Sequence, residues 1–243
     1  MPRKTPPGRV RDIARAACEV FTEKGYRRAL MTDVAARLEI NHAILYRYVE
    51  SKEALLELAV RYALDQAADL SALVPLPTPA AGQVLELVRS WFAAHGTFPA
   101  LSAALKDPGD DAREELARII DELYGFIERN RLLLLLIESL VIDHPELSAL
   151  TVGKSKQSYM GRLAGFLGSR ASSGGLRPLS DPEIAAHFIG ESIAWFAQHR
   201  KADTGLAGID DERARVAVRE LLLSAFVPDG GAAGTDPQGI FRG

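Results

Sequence analysis

A single cysteine, Cys18, stands in 243 residues, so one chain can build neither a disulfide framework nor a cysteine-based zinc site. The opening MPRKTPPGRV lacks the apolar stretch of a secretory leader, and none is expected. The longest apolar run, LLLLLI at 132–137, is far short of the ~20 residues that cross a bilayer, so no membrane partner is expected. No convincing alternation of apolar and polar residues marks a strand. G-x-S-x-G, a P-loop, H-E-x-x-H and a dinucleotide fingerprint are all missing, which argues against an enzyme and against a cofactor. These absences leave a cytoplasmic globular protein, and 47% apolar residues suffice for a substantial core.

Charge is present but unevenly placed. The formal net charge is only −3, yet residues 1–52 hold eleven Lys/Arg against six Asp/Glu. The rest of the chain carries eighteen against twenty-six. A basic head on an acidic body places any nucleic-acid contact near the N-terminus.

Helical periodicity dominates, and the fold class expected is all-α. Residues 1–8, with three prolines and a glycine, are expected to form a flexible basic arm carrying Arg3 and Lys4. A first helix runs from about Arg9 to Lys24, with Ile13, Ala17, Val20 and Phe21 on one face and Gly25 to end it. A short second helix spans about 32–38, burying Val34, Ala35 and Leu38. The turn Glu39-Ile40-Asn41 follows, and Asn41 is a good cap for a third helix whose buried stripe is Leu45 and Val49. Ser51 then caps a long fourth helix reaching about Leu73. Two short helices joined by such a turn fit a helix-turn-helix. Once the core stripe is removed, His42, Ala43, Ile44, Tyr46, Arg47 and Tyr48 are left facing away from it, beside Lys52.

The segment VPLPTP at 74–79 breaks the chain. Further helices are expected near 81–95, 97–106, 111–129, 130–143, 146–172, 182–200 and 210–226. The tail from Pro228 is rich in Gly and Pro and is expected to be disordered.

The stretch TDVAARLEINHAILYRYVESKEALL resembles the DNA-binding domain of the TetR family of bacterial transcriptional regulators. There, a D-I-A helix leads to L-Y-x-[HY]-[FV]-x-x-K-x-x-L. Asp33, Val34, Ala35, Ile40, Leu45, Tyr46, Tyr48, Val49, Lys52 and Leu55 match. The likeness covers 9–56, about a fifth of the chain; residues 57–227 resemble the family only in helix content. Two positions depart from the pattern. Leu30 replaces a threonine that usually caps the second helix and touches phosphate, and Glu39 replaces a turn glycine.

A helix fits the DNA major groove and its first turn reaches base edges, so Asn41, His42, Ala43 and Ile44 are the candidates for reading sequence. His42 can donate or accept; Ala43 and Ile44 can touch a thymine methyl. Tyr46 and Tyr48 carry hydroxyls on rigid rings that reach phosphate, and Lys52 lies in a first helical turn, which favours an anion. The resemblance implies the same phosphate roles for these three. Arg47 fits a phosphate or a neighbouring carboxylate equally well. Arg3, Lys4, Arg9 and Arg11 belong at most to the sequence-independent attraction.

For the body, residues 57–227, the resemblance implies a ligand pocket and a homodimer interface. Trp91, Phe92, His95, Phe126, Glu138 and Tyr159 are the pocket candidates, and they suit an apolar or aromatic small molecule. Glu138 lies in the apolar LLLLLIESLVI, where it is expected to be a buried carboxylate that needs an arginine, a hydrogen-bond donor or a cationic ligand. Ile184, Phe188, Ser192 and Trp195 share a helical face, with Gly190 allowing close approach. With Leu222 and Phe226 of the last helix they are candidates for a two-fold interface. His187 and Glu191, four apart, are too few to hold a metal. The function expected is a sequence-specific regulator, usually a repressor in this family, that binds a palindrome as a homodimer and is released by a small ligand. The alternatives are an architectural DNA binder without an effector and a helical enzyme with a vestigial head.

Overall fold

The computed structural model describes residues 8–141, 143, 154–206 and 208–228, with the side chains of 154–158 left aside. The basic arm with Arg3 and Lys4, the stretch 146–153 of an expected helix and the tail after Pro228 lie outside the described residues. Every regular element described is helical. In chain order these are α1 (Arg9–Lys24), α2 (Met31–Arg37), α3 (Lys52–Leu64), α4 (Gln83–His95), α5 (Pro99–Lys106), α6 (Ala112–Arg129), α7 (Arg131–Leu140), α8 (Lys154–Ser172), α9 (Pro182–Ala194) and α10 (Asp211–Phe226). Short 3-10 turns fall at His42–Arg47, Leu70–Leu73 and Arg200–Ala202.

The chain packs as two compact units: Met1–Thr97 with Gly125–Tyr159, and Phe98–Tyr124 with Met160–Gly243. In the first, α1 buries Ile13, Ala17, Val20 and Phe21 against Val34, Leu45, Val49, Leu55 and Leu58. The same core takes in Leu133, Leu136, Ile137 and Leu140 of α7. The leucine run that is too short for a membrane therefore closes the core beneath α1 and α3. Fully burying one such side chain is worth about 1.5–3 kcal/mol.

Local chemistry sets the ends of these elements. Gly25, at φ 74, terminates α1 and donates its N–H to Phe21 O. Leu30 offers no side-chain cap to α2, but Asp33 replaces it in part: its Oδ2 accepts the Leu30 N–H at 2.8 Å. Ser51 Oγ accepts the Ala54 N–H and starts α3.

Several boundaries differ from expectation. The expected long fourth helix ends at Leu64, not Leu73, because Asp65 leaves helical geometry and its Oδ1 takes the Ala67 N–H. The expected helix 182–200 is α only to Ala194. It widens to a π turn over Trp195–His199 and tightens to a 3-10 turn.

The second unit buries Leu116, Ile120, Tyr124, Phe166, Leu167 and Ile189. A buried ion pair, Arg170 to Glu115 at 2.5 Å, is completed by the Gly109 N–H on Glu115 Oε1. Arg200, 1% exposed, donates to Ile209 O and Asp211, fixing the turn before α10. Gly190 allows a close approach of Met160 from α8: a Cβ there would meet Met160 Cε at 2.4 Å.

Candidate nucleic-acid interface

The segment between α2 and α3 is built from its anchors outward. Glu39 sits at φ 53, the left-handed conformation that a turn glycine adopts without strain. Asn41 Oδ1 then accepts the Ala43 N–H at 2.9 Å and starts the 3-10 turn. Leu45 is fully buried and Val49 likewise, so this segment is held by a narrow apolar stripe. Asn41, His42, Ala43, Tyr46 and Arg47 are exposed and Ile44 is half-buried.

The geometry corrects the expected orientation of Tyr48. With three residues per 3-10 turn, Tyr48 falls beneath Leu45 and joins the core at 9% exposure, while Tyr46 on the opposite side is 52% exposed.

Lys52 begins α3 at the edge of this surface. Its ammonium lies 4.4 Å from the centroid of the Tyr26 ring and donates to Arg27 O at 3.3 Å. Partial burial draws its pKa down, while the carboxylates of Glu53, Asp143 and Asp33 oppose that shift. The α1–α2 loop that receives Lys52 carries Arg27 and Arg28, both exposed. Sequence reasoning passed over these two. The signal was the basic doublet in GYRRAL, directly after the helix-ending Gly25. Arg28 Nε bonds Lys24 O, and Arg27 is paired with Asp143, which itself is nearly buried. Arg37, by contrast, is committed to Glu19 and Glu23.

Of the pocket candidates, four are brought together. Trp91 stacks on His95 at 4.8 Å and 19°, meets Phe92 edge-on at 5.2 Å, and lies 6.1 Å from Phe126. Tyr159 is buried. Glu138 corrects the expectation of a buried carboxylate: it is exposed, because α7 turns Leu133, Leu136, Ile137 and Leu140 inward and leaves Glu138 on the outer side.

The interface candidates divide. Ile184, Phe188 and Trp195 are exposed large apolar side chains and Ser192 is half-buried. Leu222 and Phe226 instead lie in the core of the second unit, and it is Leu221 and Val216 of α10 that are exposed. Beside them, Pro178, Leu179, Ile184, Phe188 and Phe226 line an open groove of about 440 Å³.

Cys18 is fully buried, and desolvation pushes its thiol up to about 12, so it is an inert core residue. Among the described residues no group of three or more His, Cys, Asp or Glu could hold a metal, and no helix is long and apolar enough to cross a membrane.

Residues 13–59 match the model of the bacterial regulatory proteins of the tetR family. The ketosteroid transcriptional regulator of Mycobacterium tuberculosis has a similar structure at TM-score 0.52 and 15% identity, over 93% of this chain and 98% of that one. A tetR-family regulatory protein from Rhodococcus RHA1 is similar at TM-score 0.50 and 19% identity, over 93% of this chain and 100% of that one. At such identities the likeness speaks to the fold. No curated protein matches the chain. The exposed turn Asn41–Arg47, held by Leu45 and Val49, thus lies inside a helix-turn-helix head, residues 13–59, of the type found in the bacterial regulatory proteins of the tetR family.

Proposed function

We propose that the chain acts in the cytoplasm as a homodimer, represses transcription from a palindromic operator, and leaves it when a small apolar or aromatic molecule binds the body. The observation that carries this reading is the division of one short segment. Leu45 and Val49 are fully buried while Asn41, His42, Ala43, Tyr46 and Arg47 point outward. Such a segment seats in a major groove with its first turn against base edges. Tyr46, Arg47 and Lys52, with Arg27 and Arg28 beside them, supply the phosphate contacts that fix register.

The exposed apolar row Ile184, Phe188 and Trp195 supports pairing of two copies, since a monomer gains nothing by showing such a row to water. A two-fold pair sets two reading segments on one duplex at a spacing of about one helical turn, ~34 Å. The cluster Trp91, Phe92, His95 and Phe126 supports an aromatic or apolar effector. Release requires that the effector bind the non-operator arrangement more tightly than the operator-bound one. The role is one of binding, with no catalytic step.

The test is selection from a pool of randomised duplexes, with the mass of the complex measured by light scattering. Enrichment of an inverted repeat bound by two chains supports the reading. Enrichment of no sequence at all overturns it.

A further inference from the structure

The prolines of VPLPTP mark a break in the chain, but the break is also a strap. Leu76 donates its N–H to Tyr48 O at 2.8 Å, and Leu76 O accepts the Glu50 N–H at 3.0 Å, an isolated parallel bridge. Two residues on, the Thr78 N–H donates to Glu50 Oε2 and Thr78 Oγ1 donates to Ser51 Oγ, both at 3.0 Å. Leu76 itself is 6% exposed. Four bonds from two residues, Leu76 and Thr78, therefore grip Tyr48, Glu50 and Ser51, directly after the reading segment.

The grip matters because that segment has little rigidity of its own. A six-residue 3-10 turn is short, and its hydrogen bonds are poorly aligned. Its N-terminal end is set by the Asn41 cap, its middle by Leu45, and the chain that leaves its C-terminal end at Tyr48 by the strap. Base readout requires side chains held to about half an ångström, so a small rotation of this turn degrades specific contacts. Non-specific attraction to phosphate tolerates such a rotation.

We propose that Leu76 and Thr78 are positioning residues for DNA reading: the strap 76–78 fixes the orientation of the reading segment and so sets how sharply the protein distinguishes its operator from other DNA. This rests on the DNA-reading role of residues 41–47. Selection with the wild-type chain tests that role first, so its failure is seen before any strap variant is measured.

The test compares wild type, Thr78→Val and Thr78→Ser on two duplexes: the operator selected by the wild type, and a scrambled duplex of equal length. Thr78→Val deletes the hydroxyl bond to Ser51 but keeps the side-chain shape and the backbone bond to Glu50. Its operator affinity is expected to fall about three- to tenfold, with affinity for the scrambled duplex unchanged and Thr78→Ser restoring the wild-type value. Leu76→Pro, which removes the N–H given to Tyr48 O, is expected to lose more of the same discrimination if its circular dichroism matches wild type. Unchanged or tighter operator binding by Thr78→Val overturns the proposal. So does an equal loss on both duplexes, which would mark the strap as a support of stability alone.

Discussion

Arg27 and Asp143 are joined twice: the Arg27 N–H donates to Asp143 Oδ2 at 2.8 Å, and Arg27 Nε lies 3.2 Å from Oδ1. The carboxylate is 9% exposed, whereas the guanidinium side chain is 79% exposed. The bond to the backbone N–H is therefore the firmer of the two, and the ion pair is largely screened. Asp143 follows α7 and Arg27 lies in the α1–α2 loop, so this contact pins the loop that also receives Lys52. Asp143→Ala is expected to cost about 1 kcal/mol, read as a lower urea midpoint. An unchanged midpoint would show that the loop holds its place without it.

Glu39 occupies a left-handed backbone conformation at φ 53 that a Cβ disfavours. Glu39→Gly is expected to stabilise the fold by about 0.5–1 kcal/mol, the steric relief outweighing the entropy that glycine loses. Glu39→Ala keeps the Cβ and is expected to gain nothing. Urea unfolding of the two variants beside wild type checks the difference.

Two carboxylates of the head are held below their usual range. Asp33 is lowered first by Lys24, 2.7 Å away, and then by the Leu30 N–H; Glu23 is lowered first by its hydrogen bond from Arg37. A depressed carboxylate stabilises the folded state at any pH above the unfolded value near ~4. That contribution disappears as pH falls through the depressed folded values. The melting temperature is thus expected to hold from neutral pH to about 5 and to drop below about 4. Asp33→Asn should melt lower at neutrality and lose less on acidification; a parallel acid limb in both proteins would contradict this account.

Lys52 stands at the start of α3, with its ammonium over the Tyr26 ring. Lys52→Ala is expected to weaken binding to every duplex and to reduce the salt slope by roughly one unit. His42→Ala, at an exposed position in the first turn of the reading segment, is expected to change the preferred sequence instead. Affinity measured against salt for the two variants separates the roles.

Phe188 is 57% exposed and Ile184 66%, one turn apart on α9. Phe188→Glu is expected to weaken dimerisation at least about thirtyfold, as loss of an interface anchor does. Sedimentation equilibrium gives the measure, and a dimer as tight as wild type would move the interface elsewhere.

The head was legible in the sequence because its signals are local. Asn41 and Ser51 cap with their own side chains, Gly25 ends a helix by its own conformation, and Leu45 and Val49 share a face by spacing alone. Tyr48 is the exception: three residues past Leu45 it turns to the same buried side, which a stripe of Leu45 and Val49 alone leaves out. Glu138 was misread because apolar neighbours along a chain do not say which side of a helix is covered.

The sequence by itself determined the all-α class and the presence of a helix-turn-helix near the N-terminus, since periodicity, caps and turn residues act over a few positions. Only the tertiary structure decided that α7 closes the core under α1 and that Leu222 and Phe226 turn inward while Leu221 turns out. It alone joined Leu76 to Tyr48 and Asp143 to Arg27. Those contacts link residues far apart along the chain, and their energy exists only once distant helices have packed and excluded water between them.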